Sequence, residues 1–421
     1  MGWDRRGFLV RTGLGLAAAA LASGSGDRRS ARAQSVYDDW ATVRGLFNVS
    51  PDLLHLGGLL LASHPTPVRD AIDAHRRGLD DNPVDYLHQN QARLEADVLR
   101  AASAYLAVAP ADIALTDSTT MGLGLLYNGL DVRPDQDILT TAHDFYATHE
   151  ALRLKANRSG AAMRLVRLYA DPASATEDDI VGSLAAAITP RTRVVAVTWV
   201  HSSTGVKLPI RPLADAVAQA NLNRDPADRA LLCVDGVHGL GVEDTDLSAL
   251  GCDFFVAGCH KWLFGPRGTG FVWGDPRAWP AATPTIPTFS DGSMPASAMT
   301  PGGFHSFEHR WALAQAFDLH GQIGKARVAA RIHALNRQLK EGLAAMTHVR
   351  LHTPLDESVS AGLVCFEVAG LSAQGVVDRL HASGIVATVT PYATTYARLA
   401  PGLLNSPEEV DQVLGAVRAL A

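Results

Sequence analysis

The sequence is poor in charge, in aromatic residues and in cysteine. Of its 421 residues only 19% are charged and 6% are aromatic, and 37 Lys and Arg against 43 Asp and Glu give a formal net charge of −6. A weakly acidic chain has no general attraction for phosphate backbones, which argues against nucleic acid as a partner. No Cys-x-x-Cys pair occurs, so no zinc ribbon or disulfide-dense scaffold is indicated. The four cysteines are Cys233, Cys252, Cys259 and Cys365.

Long apolar runs are also missing. No segment approaches the roughly 18 apolar residues of a membrane-spanning helix, so we expect no stable membrane anchoring. Arg5-Arg6 precedes a short apolar run, Leu14 to Leu21, and Ala31-Arg32-Ala33 offers the small residues that a signal peptidase reads. A frayed Ala-rich helix is the alternative. The pattern predicts a twin-arginine signal peptide over residues 1–33, which would carry the folded protein to the periplasm or the medium.

Apolar residues make up 47% of the chain, enough for a large core, and the pattern is that of an α/β protein. Between residues 60 and 275 short apolar runs alternate with helical periodicity, and several runs are apolar on both faces, as buried parallel strands are. This alternation predicts a doubly wound sheet. The strand-like runs are Asp112–Leu115, Asp137–Thr140, Arg164–Leu168, Arg193–Val200 and Leu231–Val234. The helical segments are Thr119–Gly129, Tyr146–Ala156, Glu177–Ala187 and Pro212–Leu222.

The last third of the chain has a different pattern. The stretch from Pro276 to Gly303 is rich in Pro, Thr, Ser and Gly, which is typical of a linker or an active-site loop. After it we predict a second, smaller α+β domain. Its expected elements are a long helical stretch over Phe307–Met346, a strand over Gly362–Val368, a helix over Ser372–Ser383, a strand around Ile385–Val389 and a final helix from Pro407.

Four polar clusters follow strands or begin helices, the edge at which open α/β sheets bind ligands. Hydroxyls in Thr116–Gly122 suit a phosphate at a helix N-terminus, although simple N-capping explains them as well. A second cluster is Trp199–Gly205. The other two are Leu231–His238 and Asp253–Gly270, and each contains one residue able to carry chemistry.

Those two residues are Asp235 and Lys261. A carboxylate at the end of a buried strand is costly unless it meets a cation such as a protonated heterocycle nitrogen; a turn aspartate is the alternative. A lysine among Phe, Trp and Cys has a depressed pKa and can form a Schiff base; a surface hairpin lysine is the alternative. Hydroxyls, an acid and then a lysine, in this order, meet the needs of pyridoxal 5'-phosphate.

With His260-Lys261-Trp262-Leu263, Gly265-Pro266 and Gly268-Thr-Gly270, the sequence resembles the class V aminotransferase family, most closely its isopenicillin N epimerase-like branch. The resemblance covers residues 45–415. The twin-arginine address is similar to that of an exported relative, a pyridoxal phosphate enzyme that modifies pyoverdine siderophores. The resemblance implies a homodimer with fold type I: a large domain with a mostly parallel seven-stranded sheet, and a smaller α+β C-terminal domain. We divide the chain into a signal (1–33), an N-terminal segment packing on the small domain (34–60), a cofactor-binding domain (61–300) and a small domain (301–421).

The resemblance also implies roles around the cofactor. Lys261 matches the Schiff-base lysine, Asp235 matches the acid that pairs with the pyridinium nitrogen, and His260 matches a phosphate ligand. The phosphate-binding turn aligns with Ser118, Thr119 and Thr120.

Four further positions match. Phe145 occupies the place of the ring that stacks on the cofactor, with Tyr146 as the choice in a shifted register. His238 and Ser202 match contacts near the 3-oxygen of the ring. Arg398 matches the arginine that grips a substrate α-carboxylate through its planar fork.

Some positions depart from the family pattern. Cysteine desulfurases need a nucleophilic cysteine on a mobile loop, and none is evident here, since Cys365 lies in an apolar, core-like run. Gly258 stands where many relatives carry a phosphate-binding Ser or Thr, and the partner-subunit Gly-Thr contact is reduced to Gly302-Gly303. Pocket and core roles are both open for Tyr392, Tyr396 and His305.

We therefore expect a pyridoxal phosphate-dependent enzyme acting at the α-carbon of an amino acid or peptidyl amino acid. An epimerase or aminotransferase-like reaction in siderophore or secondary-metabolite tailoring is the first interpretation, and a C–S or other β-eliminating lyase is the second. A non-catalytic exported α/β binding protein is the alternative from another class, but it would not need an Asp–Lys pair at strand ends. A nicotinamide-linked oxidoreductase is disfavoured because no Gly-x-Gly-x-x-Gly follows a first strand.

Overall fold

The computed structural model describes residues 37–290 and 292–421, so the predicted signal peptide lies outside the described residues. The described residues belong to one compact unit. Within the described part, no helix is both long enough and apolar enough to cross a membrane. The α-helices are α1 Trp40–Gly45, α2 Thr66–Asp81, α3 Pro83–Leu106, α4 Thr119–Gly129, α5 Tyr146–Ser159, α6 Glu177–Ala187, α7 Ile210–Ala220, α8 Leu247–Leu250, α9 Pro295–Met299, α10 Phe307–Ile323, α11 Lys325–Ala344, α12 Ala373–Ala382 and α13 Pro407–Arg418.

The strands form three sheets. In chain order they are β1 Leu54–His55, β2 Ile113–Thr116, β3 Asp137–Thr141, β4 Ala162–Val166, β5 Thr192–Thr198, β6 Leu231–Asp235, β7 Phe254–Gly258, β8 Gly270–Gly274, β9 Val349–Leu351, β10 Val364–Val368, β11 Ile385–Val386, β12 Thr388–Val389 and β13 Ala397–Leu399.

The largest sheet has seven strands in the order β2-β8-β7-β6-β5-β3-β4. The five strands from β7 to β4 pair in parallel, and β8 runs antiparallel to both of its neighbours. β5, β6 and β7 are buried along their whole length, because helices cover both faces of the sheet. The predicted α/β fold with a mostly parallel seven-stranded sheet is confirmed, and it is the fold type I architecture.

The C-terminal part is built on a four-stranded antiparallel sheet, β12-β13-β10-β9. Its core includes the apolar faces of α11, α12 and α13, among them Leu339, Val376 and Val413. A separate two-stranded sheet joins β1, near the start of the described chain, to β11 in parallel. The N-terminal segment therefore pairs with the C-terminal part of the fold.

Among the differences from the sequence-based expectation, three lie in the last third of the chain. The long helical stretch divides into α10 and α11 because Gly324, with φ of 97°, takes a conformation that a helix cannot contain. The expected strand around Ile385–Val389 is two short strands, β11 and β12, which belong to different sheets. The Pro- and Gly-rich stretch 276–303 contains the short helix α9.

Candidate active site

The polar clusters of the sequence meet at one edge of the seven-stranded sheet. Thr198 at the end of β5 pairs with Asp235 at the end of β6, and Asp235 pairs with Val256 of β7. A cavity of about 150 Å³ opens at this edge. The structure places every predicted site residue in its lining: Ser118, Thr119, Thr120, Phe145, Ser202, Asp235, His238, His260, Lys261 and Arg398.

Lys261 lies three residues beyond β7, and its side chain faces the cavity. Its Nζ is 3.3 Å from Nε2 of His238. Burial lowers the pKa of Lys261 to about 8; Asp235 acts in the opposite direction, and Arg398 lowers the pKa further. Burial disfavours the ammonium form, so a substantial share of the amine is neutral, and nucleophilic, near pH 8.

Asp235 is a buried carboxylate with no cationic partner in contact. It is 3% exposed, and its Oδ1 accepts a 3.2 Å hydrogen bond from the backbone N–H of Val237. Burial raises its pKa to about 6, against the lowering effects of Val237 and Lys261. Within residues 37–290 and 292–421, no salt bridge involves Asp235. A buried acid that borders a cavity and forms no salt bridge among the described residues fits the protonated ring nitrogen of pyridoxal phosphate.

Another group of cavity residues has the features of a phosphate site. Ser118 caps α4, its Oγ accepting a 3.1 Å hydrogen bond from the Met121 N–H, and the helix N-terminus points its dipole at the cavity. Thr119, Thr120 and the half-buried His260 border the same region. Burial, and after it Lys261, lowers the pKa of His260.

Gly258 explains how this part of the site departs from the family pattern. Its N–H donates a 2.8 Å hydrogen bond to Oγ1 of Thr119. A Cβ at position 258 would lie 2.9 Å from that oxygen and 3.1 Å from the ring of His260. The Thr119 hydroxyl therefore occupies the space that a Ser or Thr at position 258 would need.

The structure separates the two aromatic candidates. Phe145 borders the cavity, whereas the neighbouring Tyr146 is 68% exposed and is not part of the lining. The register in which Phe145 faces the cofactor is therefore the one that the geometry supports. Phe145 lies at the start of α5, with its ring centroid 6.0 Å from that of Tyr392.

Arg398, in β13, brings the C-terminal sheet to the cavity. Its Nε donates to Oγ1 of Thr388 at 3.0 Å and its Nη1 donates to the carbonyl of Ser202 at 2.8 Å. The side chain is 3% exposed, burial lowers its pKa, and no carboxylate among the described residues forms a salt bridge with it. A buried guanidinium with free donors at a cavity fits a carboxylate ligand.

Tyr392, whose role the sequence left open, lies behind the cavity wall and contacts two of its residues, Ser202 and Phe145. Its hydroxyl and Oγ of Ser202 form a 2.8 Å hydrogen bond, although the two residues are 190 positions apart. Tyr396 instead stacks on His352 at 3.9 Å, and His305 packs on Phe307 at 4.4 Å. Only the first of the three open candidates contacts a residue of the cavity wall.

The cysteines are remote from this chemistry. Cys233, Cys252, Cys259 and Cys365 are all free and buried, and none belongs to the cavity lining. Burial raises the pKa of every one of them. None of these thiols presents a nucleophilic thiolate to the site. No metal-ligating cluster is found in the described part of the chain either.

Fold and cavity together define an enzyme of the fold type I class. The Aminotransferase class-V family profile matches residues 62–394, so the chain belongs to that family and is a pyridoxal phosphate-dependent enzyme. This membership removes the non-catalytic binding protein from the alternatives.

Several relatives cover most of the chain. An isopenicillin N epimerase from Streptomyces clavuligerus is 25% identical over 403 residues, 91% of this chain and 98% of that protein. A cysteine desulfurase from Klebsiella pneumoniae strain 342 is 26% identical over 355 residues, 78% and 82% of the two chains. Among solved structures, a mutant of C-DES with glycine covalently linked to its pyridoxal phosphate cofactor superposes with a TM-score of 0.81 at 22% identity, covering 89% and 98% of the chains.

Proposed function

We propose that this enzyme breaks and remakes bonds at the α-carbon of an amino acid or peptidyl amino acid, with Lys261 as the cofactor-binding lysine and the base. One observation carries the proposal: a single cavity holds an amine of lowered pKa, a buried acid without a counter-charge and a buried guanidinium without a carboxylate. The first two match the needs of the cofactor, and the third matches the needs of a substrate.

Each end of the cofactor has its own set of residues in this proposal. Bound pyridoxal phosphate supplies an aldehyde that links to amines and a ring that withdraws electrons from the α-carbon. Asp235 would keep the ring nitrogen protonated, and Phe145 would be the aromatic residue beside the ring. His238 and Ser202 act near the 3-oxygen. The phosphate is held at the start of α4 by Ser118, Thr119, Thr120 and His260.

Substrate binding and proton transfer fall to Arg398 and Lys261. The two hydrogen bonds to Thr388 and Ser202 fix the guanidinium plane, so its remaining N–H groups can hold an α-carboxylate in one orientation. Lys261, with a pKa near 8, can both take and return the α-proton at neutral pH. Lys261 would act on one face of the α-carbon, so inversion of configuration would require a proton donor other than Lys261 on the opposite face.

Epimerisation is the reaction we place first, because relatives named isopenicillin N epimerase align over 91% of this chain. Tailoring of a siderophore or another secondary metabolite is the role we propose for it. The second candidate is a C–S or other β-eliminating lyase, supported by the cysteine desulfurase relatives. Persulfide formation on the chain's own cysteine is not part of that candidate, since all four thiols are buried away from the cavity.

Isotope exchange tests the proposal. The holoenzyme is incubated in D2O with single-enantiomer amino acids and peptides, and NMR follows the α-proton while chiral chromatography follows configuration. Exchange with loss of enantiomeric purity supports an epimerase, whereas release of a 2-oxo acid and ammonia supports the lyase. If the cofactor-loaded protein removes neither the α-proton nor the side chain of any substrate, the proposal is contradicted.

We also propose that the enzyme is a homodimer. Phe289 and Phe304, on and just after the Pro- and Gly-rich stretch, are 73% and 83% exposed, with ring centroids 6.5 Å apart. Pairs of large aromatic side chains that are exposed in a single chain are typical of surfaces that a partner subunit covers. In sedimentation, the full chain should be a dimer and Phe304→Asp should shift it towards monomer. A fully active monomeric wild type contradicts the proposal.

Export by the twin-arginine route remains our proposal for the location. It rests on Arg5-Arg6 before a weakly apolar run and on Ala31-Arg32-Ala33, and a route for folded cargo suits a protein that binds its cofactor before export. Replacing both arginines by lysine should leave uncleaved protein in the cytoplasm. Cell fractionation that finds the double variant in mature form in the periplasm contradicts the proposal.

A further inference from the structure

Trp262, the residue after Lys261, packs against two glycines that flank strands of the four-stranded sheet. It is 5% exposed. A Cβ at Gly362 would lie 2.8 Å from its ring, and one at Gly402 would lie 3.5 Å away. The two glycines, one before β10 and one after β13, leave just enough room for the indole ring, because a side chain at either position would contact it. The ring therefore has a fixed position next to the lysine.

The indole N–H points to a ring of the active site. Nε1 of Trp262 donates to Nδ1 of His238 at 3.4 Å. An indole nitrogen is a donor only, so Nδ1 must accept, and the proton of the neutral imidazole must lie on Nε2. Nε2 is the atom that lies 3.3 Å from Nζ of Lys261.

We propose that Trp262 is a positioning residue that locks His238 in the Nε2–H tautomer and thereby favours the neutral amine of Lys261. A neutral amine accepts a hydrogen bond from Nε2–H, whereas an ammonium group has no lone pair and would meet a second donor. Without the indole N–H, the imidazole can move its proton to Nδ1 and accept from the ammonium form. The inference rests on the proposed role of Lys261.

Other charged groups also shift the pKa values of Lys261 and His238, and the experiment must leave them unchanged. Asp235, at the end of β6, raises the pKa of Lys261, and Arg398, in β13, lowers it. His238, which is 4% exposed, has a pKa held well below its ordinary value by burial first, then by Lys261, Arg398 and His260. A neutral His238 is what the tautomer argument requires. A Trp262 variant leaves all these groups in place.

The test measures the rate at which the cofactor-free full chain captures pyridoxal phosphate between pH 6 and pH 10. Only the neutral amine reacts, and the ionisations of the cofactor itself are common to all variants. Trp262→Phe keeps an aromatic ring but removes the N–H, so the midpoint of the pH profile should rise by about one unit. In a His238→Gln background the same change should not move the midpoint. Trp279→Phe is the control, because Trp279 is 2% exposed and its Nε1 has no partner among the described residues.

Two results would overturn the inference. One is a pH midpoint that Trp262→Phe leaves unchanged, or that Trp262→Phe shifts equally in the wild-type and His238→Gln backgrounds. The other needs no folded variant: in NMR of the wild-type chain with ¹⁵N-labelled histidine, the His238 signals show the proton on Nδ1 rather than on Nε2. A wild type that captures no cofactor at any pH refutes the proposed function instead, and the tautomer measurement still decides this inference.

Discussion

The N–H of Gly258 and the hydroxyl of Thr119 join the end of β7 to the start of α4 by a 2.8 Å hydrogen bond. The contact depends on the absence of a side chain, since a Cβ at position 258 would lie 2.9 Å from that hydroxyl. The proposed phosphate site is therefore built around a glycine, and we expect a larger residue at position 258 to displace the Thr119 hydroxyl rather than add a ligand.

We accordingly expect Gly258→Ser to weaken cofactor binding. Overpacking at such a contact costs about 1–3 kcal/mol, so the dissociation constant of pyridoxal phosphate should rise about tenfold. Gly124→Ser, on the same helix α4, is the control, because a Cβ at Gly124 meets nothing within 4 Å. Equal or tighter cofactor binding by Gly258→Ser would show that the added hydroxyl is accommodated.

Lys261→Ala should remove the visible absorption band of the bound cofactor and lower turnover by at least about 10²–10⁴-fold, because the linking amine and the base are lost together. Lys340→Met is the matched control. Lys340 is 1% exposed and its pKa is also lowered to about 8 by burial, but it donates to Pro354, Leu355 and Ser360 outside the cavity. If the Lys340 variant loses the band while Lys261→Ala keeps it, the assignment is wrong.

Asp235→Asn should have opposite effects with and without cofactor. The pKa of Asp235 in the folded chain, about 6, lies above its ordinary value of 3.8, so the carboxyl loses its proton at a cost to the folded state as the pH rises from 4 to 7. The cofactor-free variant should match wild type near pH 4 and be more stable by up to about 3 kcal/mol at pH 7. With cofactor present, the variant should bind it more weakly and turn over more slowly.

Denaturant unfolding at the two pH values, with and without pyridoxal phosphate, checks this. A cofactor-free variant that is less stable than wild type at pH 7 would mean that Asp235 has a structural role in its turn. Asp253→Asn, at the start of β7 and outside the cavity lining, should leave the affinity for the cofactor unchanged.

Phe145 and the adjacent Tyr146 allow a paired comparison. Phe145→Ala removes a ring from the cavity wall and should weaken cofactor binding about tenfold, which corresponds to a stacking contribution of about 1 kcal/mol or slightly more. Tyr146→Ala should change nothing measurable, since that ring is 68% exposed. Equilibrium binding of pyridoxal phosphate to both variants measures the difference. A larger loss of affinity in Tyr146→Ala than in Phe145→Ala would mean that Tyr146 is the ring that stacks on the cofactor.

Arg398→Lys should raise KM for a carboxylate substrate about 10–100-fold while changing kcat less, because lysine keeps the charge but cannot make the planar, two-point contact. Steady-state kinetics on the substrate found by isotope exchange gives both constants. Arg331→Lys on α11 is the control, as Arg331 donates to the carbonyl of Asn405 and is not part of the cavity. An unchanged KM would place the substrate carboxylate elsewhere.

The sequence was sufficient to predict those elements whose structure is determined by neighbouring residues. The bounds of α4 and α6 match the prediction because Ser118 and Thr176 cap them with side-chain hydrogen bonds. Asp235 and Lys261 could be placed at strand ends, since each follows an apolar run that is buried in the sheet. Parallel pairing then brings both to the same edge.

The sequence did not allow us to predict contacts between segments that are far apart in the chain. Nothing near Tyr392 indicates that its hydroxyl meets Ser202, and nothing near Trp262 indicates a bond to His238. The division between α10 and α11 was missed because Gly within an apolar periodic pattern is compatible with a helix until its φ is known. Residue types predicted the chemistry, and tertiary packing determined which donors and acceptors meet.

The hydrogen bond from Arg398 to the Ser202 carbonyl crosses between the four-stranded and the seven-stranded sheets. In the role that we propose for Arg398, one side chain would both bind the ligand and hold two layers of the protein together. A carboxylate bound to the free donors of Arg398 would add a contact to this connection, and we expect it to reduce the mobility of the β13 backbone. Deuterium uptake at the amides of β13 would then slow upon saturation, and the rate of uptake would report occupancy even for a ligand that undergoes no chemistry.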